Sequence, residues 1–318
     1  MEILVCPGCR TRTPERLDVR TLEPDGDALA CACGRCYPIH DGVPIVLADP
    51  ATVADLATLA LAPELPAEVD GPDDAPYARM LEHLSIYIDN QWGDRASPPP
   101  DGPGAGFADA LVAKLAERTA DRVELAVELG CSAGRMVAEL ARGADHVVGV
   151  DLHPAAVRCA RHLLAGEPVT YARRVVGRHY RAAVARAGDL ATDRVTLVCG
   201  DALDPPLVPG VYQRVVALNL VDSVAYPRQL LSVVDGLCAP GGELILASPY
   251  SWQSSIVAEG HRLGGADPAR ALVEILTTGE RLGARYRVED EAELPWTLRR
   301  DSRSAATYCI HYLRVRRT

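Results

Sequence analysis

Short apolar runs recur through the second half of the chain: Leu125–Leu129, Val147–Asp151, Val195–Cys199, Arg214–Asn219 and Glu243–Ala247. Successive apolar positions suit strands buried on both faces, and the intervening stretches place apolar residues at helical spacing. Such alternation predicts an α/β fold, a parallel sheet covered by helices on both sides. Two later runs, Arg285–Glu289 and Thr307–Val315, are expected as an antiparallel pair that brings the sheet to seven strands. Phe107–Arg118 reads as an amphipathic helix, and Ser97-Pro98-Pro99-Pro100-Asp101-Gly102-Pro103-Gly104 before it as a break. Helical patterns are also expected over Ala51–Leu61 and around Tyr77–Trp92, on either side of a Pro- and acid-rich linker. The organisation predicted is a small cysteine-rich domain over 1–50, a linker and helical lid over 51–105, and the α/β domain over 106–318.

Composition narrows the class. The chain has 318 residues, 48% of them hydrophobic, enough for a large core. No run of eighteen apolar residues suggests a membrane span. Met1-Glu2-Ile3-Leu4-Val5-Cys6 lacks a basic region followed by an apolar stretch, so a cytoplasmic location is expected. A net charge of −10 disfavours a general nucleic-acid binder. Charge is nevertheless uneven, with 51–105 acidic and 158–188 and 299–317 rich in arginine. Lys114 is the only lysine, so positive charge is carried almost wholly by guanidinium groups. The arginines of the Arg158–Asp193 insert, among them Arg173, Arg174, Arg178 and Arg181, read as a solvated helical face, the alternative being a lining of the substrate pocket that would favour a more acidic substrate.

Five of the ten cysteines fall in the first 36 residues, as Cys6-Pro7-Gly8-Cys9 and Cys31-Ala32-Cys33-Gly34-Arg35-Cys36. In a cytoplasmic chain this clustering points to a metal rather than disulfides. Two knuckle turns could set four thiolates around one zinc ion, a staple that a fifty-residue module with a small core needs. Tyr37-Pro38-Ile39 followed by Gly42-Val43-Pro44 makes this region similar to the zinc-ribbon family that activates tRNA and protein methyltransferases. That family's pattern would place a cysteine at residue 30, where this chain has Ala30. Cys6, Cys9 and Cys33 are therefore taken as ligands, with Cys36 as the fourth and Cys31 its rival. Four cysteines leave no open coordination position, so the zinc is expected to be structural.

The richest stretch is Val127-Glu128-Leu129-Gly130-Cys131-Ser132-Ala133-Gly134, with Asp151 ending the next strand. Gly130 lets the chain leave the strand sharply, Gly134 lets the following helix pack closely, and a carboxylate at Asp151 can bind both ribose hydroxyls. Glu128 would repel a pyrophosphate and suits a cationic ligand instead. Together these features point to S-adenosylmethionine, with Glu128, Gly130, Ser132, Gly134, Asp151 and Leu152 at its site. Asp201, just past the third strand, is placed against the adenine amino group, with the Ala202 amide on a ring nitrogen and Asn219 at the edge of the fourth strand.

The order of elements resembles the class I, Rossmann-like S-adenosylmethionine-dependent methyltransferases over roughly 106–318. Ala217–Ser223 followed by Tyr226-Pro227, Ala247–Trp252, and Leu294–Arg300 are similar to the methyltransferase domains of ovothiol biosynthesis. That resemblance implies N-methylation of a small imidazole amino acid. Tyr250, Asp222, Arg299 and His311 are the candidates for catalysis or substrate orientation, with Trp252, Arg300 and Tyr308 behind them. A helix N-cap is the competing role for Asp222, and Tyr87 and Trp92 are candidate lid aromatics. The expected function is methylation of a small metabolite at nitrogen, oxygen or sulfur. RNA or protein methylation through the ribbon, or a cofactor-binding scaffold without turnover, are the alternatives. Partners expected are a small-molecule substrate and, as an open question, a second copy in a homodimer; neither nucleic acid nor a membrane is expected.

Overall fold

The computed structural model describes residues 3–12, 17–48, 76–104 and 109–318. The helical pattern expected at Ala51–Leu61 lies outside them. The centre of the fold is a seven-stranded sheet of β1 (Val123–Leu129), β2 (Ala144–Asp151), β3 (Val195–Cys199), β4 (Tyr212–Leu218), β5 (Cys238–Ser248), β6 (Tyr286–Arg299) and β7 (Ala305–Arg317). Its order is β3-β2-β1-β4-β5-β7-β6. The first five strands are parallel, whereas β7 runs antiparallel to both β5 and β6. Alternation along each strand divides the core between the two faces. Ala126, Val147, Val216 and Ile245 enter one apolar cluster; Val127, Val148, Val215 and Leu244 enter the other. The order reverses between β1 and β4, and that switch point opens a crevice at the strands' carboxyl ends.

Six helices surround the sheet among the described residues: α1 (Pro76–Trp92), α2 (Asp109–Ala116), α3 (Arg135–Leu140), α4 (Pro154–Leu164), α5 (Pro227–Leu237) and α6 (Pro268–Thr278). Helix α1 closes over the crevice, and its carboxyl end is fastened to the turn after β1. The Trp92 indole donates to the Ala133 carbonyl at 2.8 Å, and Gln91 accepts the Arg135 amide at 3.2 Å.

The arginine-rich insert is not a solvated helix. After α4 it forms a hairpin, Val169–Val176 with His179–Ala185, that packs against α1. Arg173 is fully buried and donates to Asp89 of α1 at 2.8 Å; Arg299 donates to the other oxygen of Asp89 at 3.1 Å. Arg174 pairs with Glu82, and Arg181 lies 3.0 Å from Asp101. Only Arg178, at the turn, is an exposed member of the four. The arginines match acids on the preceding helix and linker, a pairing across about ninety residues that local pattern does not reveal.

The first domain is joined to the sheet by backbone. Ile45 bridges Cys199 in parallel, and the Val46 amide donates to the Cys199 carbonyl at 2.8 Å. The tail of the ribbon thus continues the sheet beyond β3. Residues 3–5 pair with the loop after β3, through Val5 to the Pro206 carbonyl at 2.9 Å and Val208 to the Ile3 carbonyl at 3.1 Å. Arg10 adds an ion pair with Asp204 at 2.6 Å.

Candidate functional site

A cavity of about 760 Å³ fills the crevice, within the range of small-molecule sites. Its floor is built by the turns that leave β1, β2, β3 and β4. Gly130 and Gly134 both hold positive φ, 78° and 82°. A Cβ on Gly134 would come within 2.7 Å of Ala160 Cβ, so a side chain there would push α4 away from the turn. Ser132 and Asn219 also take positive φ without being glycine, 48° and 52°, which marks strained backbone on both sides of the cavity.

Asp151, at the tip of β2, ties the floor together. One carboxylate oxygen accepts the Ser132 amide and the other the His153 amide, both at 2.8 Å. Each oxygen retains a second lone pair for a ligand hydroxyl. Glu128 is buried at the end of β1, and its Oε2 has no hydrogen-bond partner. Ser132 Oγ and Asn219 Oδ1 are likewise buried and unsatisfied. Burial, then the charge of Asp151, pushes the Glu128 carboxyl well above the usual carboxylate range. With His83 Nε2 on the roof, four buried polar atoms around the cavity lack partners, which fits a zwitterionic or cationic ligand with several donors.

Of the residues expected at the cofactor, Glu128, Gly130, Ser132, Asp151, Leu152, Asp201, Ala202 and Asn219 line this cavity. Gly134 does not; it serves the packing of α3 on α4. The roof comes from α1, whose Arg79, Glu82, His83, Ile86, Tyr87 and Asn90 lie on one helical stripe.

A second cluster lies in the ribbon. The sulfur atoms of Cys6, Cys9, Cys31 and Cys33 are all within 4.8 Å of one another, with Cys6–Cys33 at 3.8 Å and Cys9–Cys31 at 3.6 Å. Thiolates in a tetrahedron about 2.3 Å from zinc stand about 3.8 Å apart, so these four fit a zinc ion. The Tyr37 hydroxyl lies 3.1 Å from Cys6 Sγ. Cys36, the expected fourth ligand, is not among them. The tight turn runs from Cys31 to Arg35, whose carbonyl accepts the Cys31 amide at 2.9 Å. Cys36 then starts the next strand opposite Ala30 and is exposed.

Residues 127–246 match the methyltransferase-domain family. The chain carries a methyltransferase domain. Its cofactor is S-adenosylmethionine. Residues 1–42 match the Trm112p-like proteins, a match that contains all four clustered cysteines. No curated protein matches the chain. Among solved structures it is similar to the N-methyltransferase NodS from Bradyrhizobium japonicum WM9, with 15% identity over 66% of this chain and 95% of that one and a TM-score of 0.43. It is also similar to magnesium protoporphyrin IX methyltransferase from Synechocystis PCC 6803, with 16% identity over 66% and 77% and a TM-score of 0.42.

The residues expected to act on the substrate are placed differently from the cofactor set. Tyr250, Asp222, Arg299 and His311 do not line the cavity of the methyltransferase domain. Arg299 is buried in the Asp89 network and also donates to Asp101 at 2.9 Å, so it has no face left for a substrate carboxylate. Asp222 caps no helix: α5 starts at Pro227, while Asp222 accepts the Ser251 amide at 2.8 Å. Tyr250 and His311 join through the Tyr250 hydroxyl and His311 Nδ1 at 2.9 Å, and His311 Nε2 lies 3.0 Å from Glu291. This chain braces the loop after β5, which reaches the cavity further on, at Gln253 and Ile256. Trp92 is a packing residue, whereas Tyr87 does face the cavity.

Sequence reasoning missed His83, His153, Gln253 and Trp296, all in the lining. His83 stacks between Tyr87 and His153, with ring centres 4.4 and 4.5 Å away. Burial, then the charge of His153, pushes the His83 imidazole down to about 3, so it is neutral at physiological pH. No motif marks it. The one available signal was its place one turn before Tyr87 on a helix already read as a lid.

Proposed function

We propose that the enzyme methylates a small metabolite held between α1 and the cofactor. The observation that carries this reading is the roofed cavity itself. Its walls carry four unsatisfied buried polar atoms, and α1 is fastened across it by Trp92 and Gln91, which leaves a chamber suited to a small acceptor rather than an open groove.

Within the site, Asp151 is assigned to the ribose hydroxyls and Asp201 with the Ala202 amide to the adenine edge. Glu128 is assigned to the amino group, with Gly130, Ser132 and Asn219 around the amino-acid end. When bound, the cofactor supplies an activated methyl group: the S–CH₃ bond breaks with its electron pair left on sulfur, while an acceptor lone pair bonds to the carbon. The chain's own residues orient the acceptor and exclude water, and the acceptor's proton leaves to solvent. Cys6, Cys9, Cys31 and Cys33 are assigned to one structural zinc. The ovothiol-like segments around 217–227, 247–252 and 294–300 support an imidazole derivative as acceptor.

The test uses methyl-labelled S-adenosylmethionine and a cell extract, separated by dialysis after reaction. Label in the dialysable fraction, absent with Asp151→Ala, is the expected result. Label held by RNA or protein would replace the small acceptor with a macromolecule.

A further inference from the structure

The charges around the cavity are unevenly used, and that unevenness describes the acceptor. Five charged side chains line it: Arg79, Glu82, Glu128, Asp151 and Asp201. The last three belong to the strand tips that face the cofactor. Glu82, on the roof, already holds Arg174 and, at 2.9 Å, Arg300. Arg79, one turn earlier on α1, has neither an ion pair nor a hydrogen bond among the described residues. The acceptor side therefore offers one uncommitted cation and no uncommitted anion.

Between Arg79 and the strand tips the wall is made of rings. His83, Tyr87 and His153 lie in contact on the roof and its hinge with the β2 turn, and Trp296 enters from β6, stacked on Tyr308 at 5.4 Å. His83 is neutral and its Nε2 is buried without a partner, so the ring wall adds no second charge. Flat faces of this kind stack on flat ligands. Leu220, Val224 and Ile256, also in the lining, are apolar.

Resting on the small-metabolite reading, we propose that the acceptor is a planar aromatic or heteroaromatic carboxylate without an ammonium group. Its ring lies against Tyr87 and Trp296, and its carboxylate meets the Arg79 guanidinium. An α-amino acid is disfavoured because its ammonium group would be desolvated with no carboxylate to receive it. The imidazole amino acid implied by the ovothiol-like segments is thus replaced by a deaminated relative.

Calorimetry on the whole chain saturated with S-adenosylhomocysteine tests this. Imidazolepropionate and 4-hydroxyphenylpropionate are compared with histidine and tyrosine, and with the two neutral amides of the acids. We expect the acids to bind at least about tenfold more tightly than either comparison set, the scale of one charge-assisted contact. Arg79→Gln, an exposed position, should erase the preference for acid over amide and leave affinity for S-adenosylhomocysteine unchanged. Equal or tighter binding of the amino acids, an acid preference that survives Arg79→Gln, or no binding by either acid would each overturn the proposal. Failure of S-adenosylhomocysteine to bind would instead overturn the cofactor assignments, and this proposal with them.

Discussion

Val46 donates its amide hydrogen to the carbonyl of Cys199 at 2.8 Å, and through that bond the ribbon becomes part of the methyltransferase sheet. Cys199 ends β3, and Asp201 and Ala202, which line the cavity, follow two residues later. The same loop is held from its far side by residues 3–5 and by Arg10. Order in the ribbon is therefore transmitted by backbone to the part of the cavity lined by Asp201 and Ala202.

Metal removal is expected to act along this route. Cys6→Ser or Cys33→Ser should lower bound zinc, lower Tm by about 5–10 °C, and weaken S-adenosylhomocysteine binding. Cys31→Ser should do the same, whereas Cys36→Ser should leave zinc content and Tm unchanged. Elemental analysis with thermal denaturation checks all four, and a zinc loss confined to Cys36→Ser would reverse the ligand assignment.

The buried pair of Arg173 and Arg299 on Asp89 supports a sharper expectation. Asp89 is 1% exposed and the two arginine side chains are 0% and 2% exposed, so removal of the acid leaves Arg173 with no carboxylate in the core and Arg299 with Asp101 alone. Asp89→Ala should cost about 3–5 kcal/mol of unfolding free energy. Glu82→Ala removes a carboxylate that is 27% exposed and shared between the buried Arg174 and the exposed Arg300, and should cost less than Asp89→Ala. Denaturant titration of the two variants decides; equal costs would mean that the α1–hairpin junction does not depend on Asp89.

The sequence made the floor of the site legible because its chemistry is local. Gly130, Ser132 and Asp151 lie within one strand–turn–helix–strand unit, where spacing dictates geometry. Asp201 and Asn219 follow from the ends of apolar runs in the same way. The roof was less legible. His83 and Arg79 belong to a helix whose position over the cavity depends on Trp92 meeting Ala133 and on Asp89 meeting Arg173, contacts between segments far apart in the chain. The hairpin did leave a signal: Val169-Thr170-Tyr171-Ala172 and Tyr180–Ala185 flank Gly177, two β-forming runs around a turn. The arginines within it fit a solvated helical face equally well by composition. At the ribbon, the choice between Cys31 and Cys36 depended on where the turn closed, which spacing alone left open.

Tyr250 and His311 give a direct check on which residues act in transfer. Their hydrogen bond braces the loop after β5 and neither lines the cavity. Tyr250→Phe should therefore reduce kcat by less than about tenfold, since it removes no interaction made only in the transition state. Steady-state kinetics with the identified acceptor measures this. A drop of a thousandfold would make the phenol part of the reacting site.

Glu128 provides the pH dependence. Burial and then the Asp151 charge raise its folded-state value well above the usual carboxylate range. The folded, cofactor-free protein therefore retains a proton that the unfolded chain has already released. Because the native state then binds more protons, this group's effect on stability is absent below the ordinary carboxylate range. Stability falls as pH rises from there to the raised folded value. Glu128→Gln has no proton to lose, so the cofactor-free variant should be the more stable protein at the upper end of that window and should lack the fall. Cofactor binding reverses the preference, because a cationic amino group beside Glu128 favours the charged carboxylate. Binding should thus release a proton and strengthen with pH across the same window. Glu128→Gln should weaken it by roughly 10–100-fold and abolish the release. Calorimetry in two buffers of different ionisation enthalpy measures that proton directly. A binding enthalpy independent of buffer in the parent protein would show that Glu128 is not the group that meets the cofactor's charge.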